Sequence, residues 1–504
     1  MVRLVGVILV IVSLASAALA APGFEVREYL NRTWRNEGIR YPIAGENLAR
    51  AQAGKALVSQ DGKAVLYQLT PAAQDGTGAC IEFLTDLAPF ETRTYAFTEA
   101  PAAVSTDLRI EEMADVIRVK NSQTGIMVRK QLAPGQGPIA GVRLPSGAWV
   151  GDSRLVGVGT PTTYTAAVTA RGPVYTEVVC QAVFGAVQMW SLTFRLQAHE
   201  PVVLVDERFT LGAGALCELS LGRDFAAESL LYRRASTVVS EKLPSEQGAT
   251  VCTWRPFLGF GGVRSCDWFG VYSTQQPDLL MLAKRDGDVW VDMRRPRDES
   301  ILVTRKDGDI TVPLLLQRGQ RRWMIGGLPK DACLTEVGQS RAPLPQQYLI
   351  KYEFPLDRVK DYVLDWPETE AHPRLYVTPK TVEQYRKTFT PDPKLLAQYA
   401  TRPLTVYTTD GPVSYYLGTG DPALGTHLAG TAVTWMQNAV DVYLKQENLA
   451  SLGAAPHGQT GIISTLNLAD AVLSSDAVTP EQRVRLRAQA AFIGYVLQRP
   501  DYWS

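Results

Sequence analysis

The apolar repeat of this chain changes once, and that change constrains the fold more than any other feature. From about residue 24 to 350, apolar residues recur at every second position; from 379 onward they recur at every third or fourth. A period of two lays side chains on alternate faces of a strand, and a period near 3.6 lays them along one face of a helix. Such a chain needs a β part and an α part, each burying its own apolar face.

The β part is legible in detail. DVIRVKNSQTGIMVRK (115–130) has two alternating runs around Asn-Ser-Gln-Thr-Gly, the pattern of a hairpin. In WSLTFRL (190–196), Leu192, Phe194 and Leu196 point one way, and Ser191, Thr193 and Arg195 the other. DGDVWVDM, RKDGDITVPLLLQ and RRWMIGG continue the alternation, with Asp-Gly turns between them. Many strands without helical crossovers predict a large antiparallel β-sandwich over 21–350.

The joint is expected at 351–378. LDRVKDYVL (356–364) reads as a short helix, closed by Trp366-Pro367 because the residue before proline avoids the α region. Thr378-Pro379 then reads as an N-cap followed by proline at the first helical position. Helices are predicted at 379–389, 427–445 and 460–474. Ala429, Val433, Met436, Val440 and Tyr443 share one face of the second. Thr479-Pro480-Glu481-Gln482 is a capping box opening a last helix. Its stripe is Val484, Ala488, Ala491, Phe492, Tyr495 and Val496.

Residues 1–20 read as a secretory signal peptide rather than as fold. Arg3 precedes an apolar run from Leu4 to Leu14, too short to span a bilayer, and Ala18-Leu19-Ala20 is a cleavage signal. A retained N-terminal anchor is the alternative. The expectation is a secreted or periplasmic protein, with no membrane contact after signal cleavage. Lys+Arg and Asp+Glu both number 51, so there is no basic surplus of the kind nucleic-acid binders show. RRPR (294–297) and RGQRR (318–322) read as solvated strand ends. Of six cysteines, Cys252 and Cys266 are close enough in sequence to pair, while Cys80, Cys180, Cys217 and Cys333 read as buried small side chains. With four histidines and no Cys/His cluster, no metal site and no cofactor is expected.

HPRLYVTPKTVEQYRK (372–387) resembles the entry segment of heparinase II/III-like and alginate-lyase-like proteins, at His372, Pro373, Arg374, Leu375, Pro379 and Arg386. YYLGTGDPALGTHLAGTAVTWM (415–436) and 466–503 are similar to the helix-loop-helix units of an (α/α) toroid. The resemblance implies a multidomain β plus α protein: a large antiparallel β-sandwich, then a partial (α/α) toroid over 379–504. The helical part is short for a full ring, so the chain reads as the N-terminal portion of a longer protein, with a shortened helical domain as the alternative.

The same resemblance implies a polysaccharide lyase acting on an acidic, uronate-containing glycan. Such enzymes neutralise the uronate carboxylate, then use a Tyr or His base and a Tyr or His acid for β-elimination. The candidates are His457, Tyr415, Tyr416 and Asn467 as catalytic residues, with Gln459, His427, Trp149 and Trp268 binding substrate. Each has a plainer alternative: a loop histidine at His457, helix-end packing at Tyr415 and Tyr416, a local hydrogen bond at His427, and core packing at the tryptophans. His372 and Arg374 read as structural. Asp410, Asp421 and Asp470 could serve an inverting hydrolase or act as caps. Asp206 and Glu207 are adjacent, so they diverge on a strand and make no glycosidase pair. The rival functions are a glycoside hydrolase on the same architecture and a non-catalytic glycan-binding or cell-surface scaffold.

Overall fold

The computed structural model describes residues 23–497, apart from 72–77, 103–104, 213, 223, 235, 244–267, 286–302, 307–308, 317–318, 361–370, 448 and 450–458. The signal segment, Cys252, Cys266, DGDVWVDM, RRPR, Trp366-Pro367 and His457 therefore lie outside the described residues.

A nine-stranded sheet organises the molecule. Its spatial order begins with Thr163–Arg171, Tyr175–Phe184, Gln188–Gln197 and Val202–Phe209. It continues through Gly319–Pro329, Asp278–Arg285 and Trp268–Tyr272 to Ser229–Arg234 and Thr237–Lys242. Every adjacent pair is antiparallel. One face packs on a five-stranded sheet, which holds the expected hairpin Val116–Lys120/Gly125–Arg129, and on a four-stranded sheet. Ile117, Val128, Leu192, Phe194, Leu219 and Val312 meet in that core. The expected large antiparallel sandwich is present.

The opposite face is covered differently. Two small sheets from residues 24–101 and the helix Leu344–Glu353 close over it. The central strand Asp278–Arg285 shows the consequence. Leu279, Met281 and Ala283 enter one core while Leu280 and Leu282 enter the other. A strand buried on both faces reads as a continuous apolar run, and DLLMLAKR does. Cys80, Cys180, Cys217 and Cys333 are buried free thiols.

Some expectations are corrected here. The β region also contains the helix Gly45–Gln52, the short helix Lys330–Leu334, and Leu344–Glu353, which runs across residue 350. RGQRR is not a solvated end throughout. Arg321 is buried, and its guanidinium meets Glu207 (Nη2 to Oε2, 2.6 Å). Glu207 also accepts from the indoles of Trp190 (2.7 Å) and Trp323 (3.1 Å). As expected, Asp206 lies on the other face.

The helical part follows its caps. Thr378 accepts from the Thr381 amide at the start of Pro379–Thr388. Asp392 and Asp421 likewise cap Pro393–Tyr399 and Pro422–Leu444, each with proline at the first turn. The second of these helices begins five residues before the expected 427. The capping box forms: the Thr479 amide donates to Gln482 Oε1 (3.0 Å), and the Gln482 amide to Thr479 Oγ1 (3.2 Å). Pro422–Leu444 packs against both Gln459–Val472 and Pro480–Leu497. Among the described residues these helices form a packed layer, and nothing closes them into a ring.

His372 and Asp470 hold the joint to that layer. The Asp470 carboxylate lies 2.6 Å from His372 Nδ1 and accepts the amides of Arg374 (2.8 Å) and Leu375 (2.9 Å). Burial pushes this carboxyl up. The His372 hydrogen bond and the two amides outweigh it and hold the group below its ordinary range.

Candidate functional site

A polar cleft of about 310 Å³ opens where the nine-stranded sheet, the N-terminal sheet and the helix Leu344–Glu353 meet. The alternation that buries Leu192, Phe194 and Leu196 turns Thr193 and Arg195 into this cleft. Cross-strand pairing extends the surface. Glu177 stands opposite Arg195, and Thr193 opposite Asp206. Arg285 reaches Asp206 at 3.4 Å. Arg195 lies over the Tyr175 ring at 3.6 Å and donates to Glu82.

The other wall comes from the strand Trp34–Pro42. Its pairing with Cys80–Leu87 slips between Trp34 and Glu37, where Asn36 takes φ +50°. A bulge of this kind re-aims side chains, and here the buried Glu37 lines the cleft. Gly38 follows it, and a Cβ there would come within 2.8 Å of the Gln197 Oε1 atom, so the Gln197 side chain would have to shift. The helix contributes Lys351 and Tyr352, and Asp357 follows from the next short helix.

Electrostatics separate Glu37 from its neighbours. Burial raises its carboxyl to about 7, against the lowering influence of Lys351 and Arg32 and with help from Glu200. Glu200 itself is saturated with donors: Lys351 Nζ at 2.7 Å, the Tyr352 hydroxyl at 2.7 Å and Asn36 Nδ2 at 2.6 Å. Burial pushes the Tyr352 phenol well up, so it stays protonated and donates. Asp206 is open to solvent. Asp357 accepts the Arg40 amide at 2.7 Å and lies 3.0 Å from Lys360 Nζ. The cleft thus holds five carboxyl groups and four basic side chains. That near balance suits a neutral, hydroxyl-rich ligand better than a polyanion.

None of the sequence-expected site residues whose side chains are described lines this cleft. Asn467 lines a different cavity, of about 410 Å³, between the helices. Tyr376, Tyr385, Asp410, Ser414 and Asp470 share it, and the rest of the wall is mainly apolar. Tyr415 is packed edge-on between Phe389 and Tyr399, at 5.1 and 5.0 Å. Tyr416 is buried in the same layer, so both tyrosines are packing residues. His427 sits inside a helix, its Nε2 2.9 Å from the Arg402 carbonyl oxygen. Trp268 is fully buried, donates to Gln346 Oε1 at 2.8 Å, and cannot reach a sugar. Trp149 is half-buried on the five-stranded sheet, with Arg118 over its ring. Gln459 opens a helix, and its side chain lies outside the described residues. Among the described residues, no His/Cys/Asp/Glu group could hold a metal ion.

Sequence reading missed Glu37. The available signal was Asn36-Glu37-Gly38, which interrupts the alternation of WRNEGIRYP and marks a bulge.

No family model matches the chain, and no curated protein matches it. Solved structures overlap it loosely. An α-mannosidase from Enterococcus faecalis V583 is 10% identical, with 62% of this chain and 43% of that one covered, at a TM-score of 0.38. A protein in glycosyl hydrolase family 38 from Enterococcus faecalis is 10% identical, over 62% and 44%, at 0.37. A TPR-domain containing protein from Parabacteroides distasonis ATCC 8503 is 11% identical, over 88% of both chains, at 0.27. The chain spans less than half the length of the two Enterococcus faecalis proteins. None of the three is named as a polysaccharide lyase.

Proposed function

We propose that this is a carbohydrate-active protein, and that the polar cleft binds a glycan and hydrolyses it. The observation behind this reading is Glu37, a carboxyl group held near 7 inside a cleft that also carries solvent-open carboxylates. Two carboxyl groups in unlike environments are what glycoside hydrolysis requires. Glu37 in its protonated form gives its proton to the glycosidic oxygen as the bond to the anomeric carbon breaks. Asp206, open to water, takes a proton from the water molecule whose oxygen forms the new bond. Arg195, Arg285 and Gln197 position the sugar hydroxyls. Export past the inner membrane, by the leader at 1–20, is part of the same proposal.

The β-elimination reading keeps one supporting observation: Asn467 lies in a cavity with the phenols of Tyr376 and Tyr385. Tyr385 already bonds Ser414 Oγ at 2.8 Å, and among the described residues the largely apolar wall offers no cationic side chain for a uronate carboxylate. Hydrolysis is therefore preferred.

The test is release of reducing ends from a panel of neutral and acidic polysaccharides, with absorbance at the ultraviolet edge recorded in parallel. New reducing ends without a conjugated double bond, abolished by Glu37→Gln, support hydrolysis. A rise in ultraviolet absorbance that survives Glu37→Gln and is lost in Asn467→Ala would replace it with elimination. Retention of a glycan without turnover would leave a binding scaffold.

A further inference from the structure

An edge strand offers a row of backbone N–H and C=O groups to any strand that comes alongside, and folded proteins guard such edges by keeping them short, charged, bulged or covered. Among the described residues, the edges of this molecule follow that practice with one exception. The outer strand Thr237–Lys242 of the nine-stranded sheet carries Glu241 and Lys242, and residues 337–339 run alongside its start. The Val238 amide donates to the Gln339 carbonyl at 3.1 Å, and the Gly338 amide to the Val238 carbonyl at 2.8 Å. In the smaller sheets, every edge strand is no longer than four residues or has charged side chains.

The exception is Thr163–Arg171, the other edge of the nine-stranded sheet. It is nine residues long, and its stretch TYTAAVTA (163–170) has no charge, glycine or proline. The strand is anchored from within. Tyr164, Ala166 and Val168 pack on the sandwich core, the Tyr164 hydroxyl donates to the Arg129 carbonyl at 2.9 Å, and Arg171 pairs with Glu112. Thr163, Thr165, Ala167 and Thr169 are exposed on the other face. The outer backbone groups meet no described strand. One defence is present, a bulge at Thr169, where pairing with Tyr175–Phe184 slips between Val168 and Ala170. Residues 163–168, before the bulge, keep a regular register.

We propose that this edge pairs with the same edge of a second copy of the chain, in a two-fold symmetric antiparallel dimer. Charge decides the occupant. Every other described edge of a second copy is short, charged or covered, whereas this strand is complementary to itself. Antiparallel pairing about Ala166 sets Tyr164 beside the second copy's Val168, an aromatic and β-branched pair, and Thr165 beside its Ala167. No charge faces a like charge, because Arg171 lies beyond the paired segment and stays with Glu112. An isologous contact of this kind closes on itself, and the outermost edges of the joined sheet are then the guarded ones. The two-fold axis stands perpendicular to the sheet, so both polar clefts open on the same face of it.

The experiment is sedimentation velocity on the full chain, from micromolar to near-millimolar concentration. The wild type is expected to pass from monomer to dimer as concentration rises. Ala167→Lys and, separately, Thr165→Glu bring like charges together across the two-fold axis. Each should weaken the dimer about tenfold, with thermal unfolding unchanged because both positions are exposed. An equal mixture of the two variants should regain wild-type association, since the introduced lysine then stands opposite the introduced glutamate. The proposal is overturned if the wild type stays monomeric throughout, if both variants associate as the wild type does, or if the mixture does not regain association. A monomeric wild type that binds a synthetic peptide of residues 162–170 would overturn it in favour of an extended segment from another protein.

Discussion

Lys351 Nζ and Glu200 Oε1 lie 2.7 Å apart, both nearly excluded from water, and this contact ties the helix Leu344–Glu353 to a corner of the nine-stranded sheet. Lys351 also donates to the carbonyls of Arg35 (2.9 Å) and Asn36 (3.1 Å) at the bulge that aims Glu37. One ammonium group therefore holds the backbone of the proposed catalytic acid and opposes the rise in its proton affinity.

Removing that ammonium tests the link. Lys351→Met leaves Glu200 buried without its cation, a change that typically costs about 3–5 kcal/mol. It also removes the largest influence lowering the Glu37 carboxyl, whose titration should move upward. Urea unfolding reads the first effect, and a carboxyl titration followed by NMR reads the second. An unchanged Glu37 titration in a folded variant would show that Lys351 does not act on it.

Glu37 should make the protein less stable as pH rises. Its folded value, about 7, lies above the ordinary range for a glutamate near 4.3, so between these values the folded state holds a proton that the unfolded state has released. Stability from this group is full below about pH 4 and falls as pH rises through 7. Glu37→Gln should therefore be more stable than the wild type at pH 8, by on the order of 3 kcal/mol, and indistinguishable at pH 4. Hydrolysis should fall over the same upper range, because the acid must carry its proton.

Asp470 has the opposite sign. Its carboxyl is held below the ordinary range by His372 and the Leu375 and Arg374 amides, so its contribution is present above about pH 4 and is lost as pH falls through the folded value. Asp470→Asn should weaken the joint by about 3 kcal/mol, since hydrogen bonds to a charged group are worth about 1.5–3 kcal/mol each. The Arg374 and Leu375 amides should then exchange with deuterium faster than those of the nine-stranded sheet. Unaltered protection at both would show that Asp470 does not hold them.

Glu207→Ala should be among the most damaging single changes in the sandwich. It strands the buried Arg321 guanidinium and two indole N–H groups, with an expected loss of about 3–5 kcal/mol. The tryptophan fluorescence transition in urea would follow it directly. A loss below 1 kcal/mol would mean that water reaches Arg321.

These particulars show what could be read from the sequence. Local devices were legible because they act within a few residues: the Thr479/Gln482 box, the turn at Asn121, and the alternation through Leu192, Phe194 and Leu196. Asn121 Oδ1 accepts the amides of Gln123 and Thr124, so the turn is written in four residues. Glu37 was illegible because a bulge breaks the rule that assigns a strand residue to a face. Its neighbours Asp206, Lys351 and Tyr352 arrive from positions 169, 314 and 315 residues away. Trp268 was misplaced for a related reason. An aromatic on a strand covered on both faces is a core residue, and that covering is a property of the layers.

The most direct measurement is a titration of Glu37 itself, with glutamate carboxyl carbons labelled and the resonance assigned by its loss in Glu37→Gln. The expected midpoint is near 7, moving upward in Lys351→Met. A midpoint near 4.5, unmoved by that substitution, would remove the proton donor from the cleft and contradict the proposed hydrolysis.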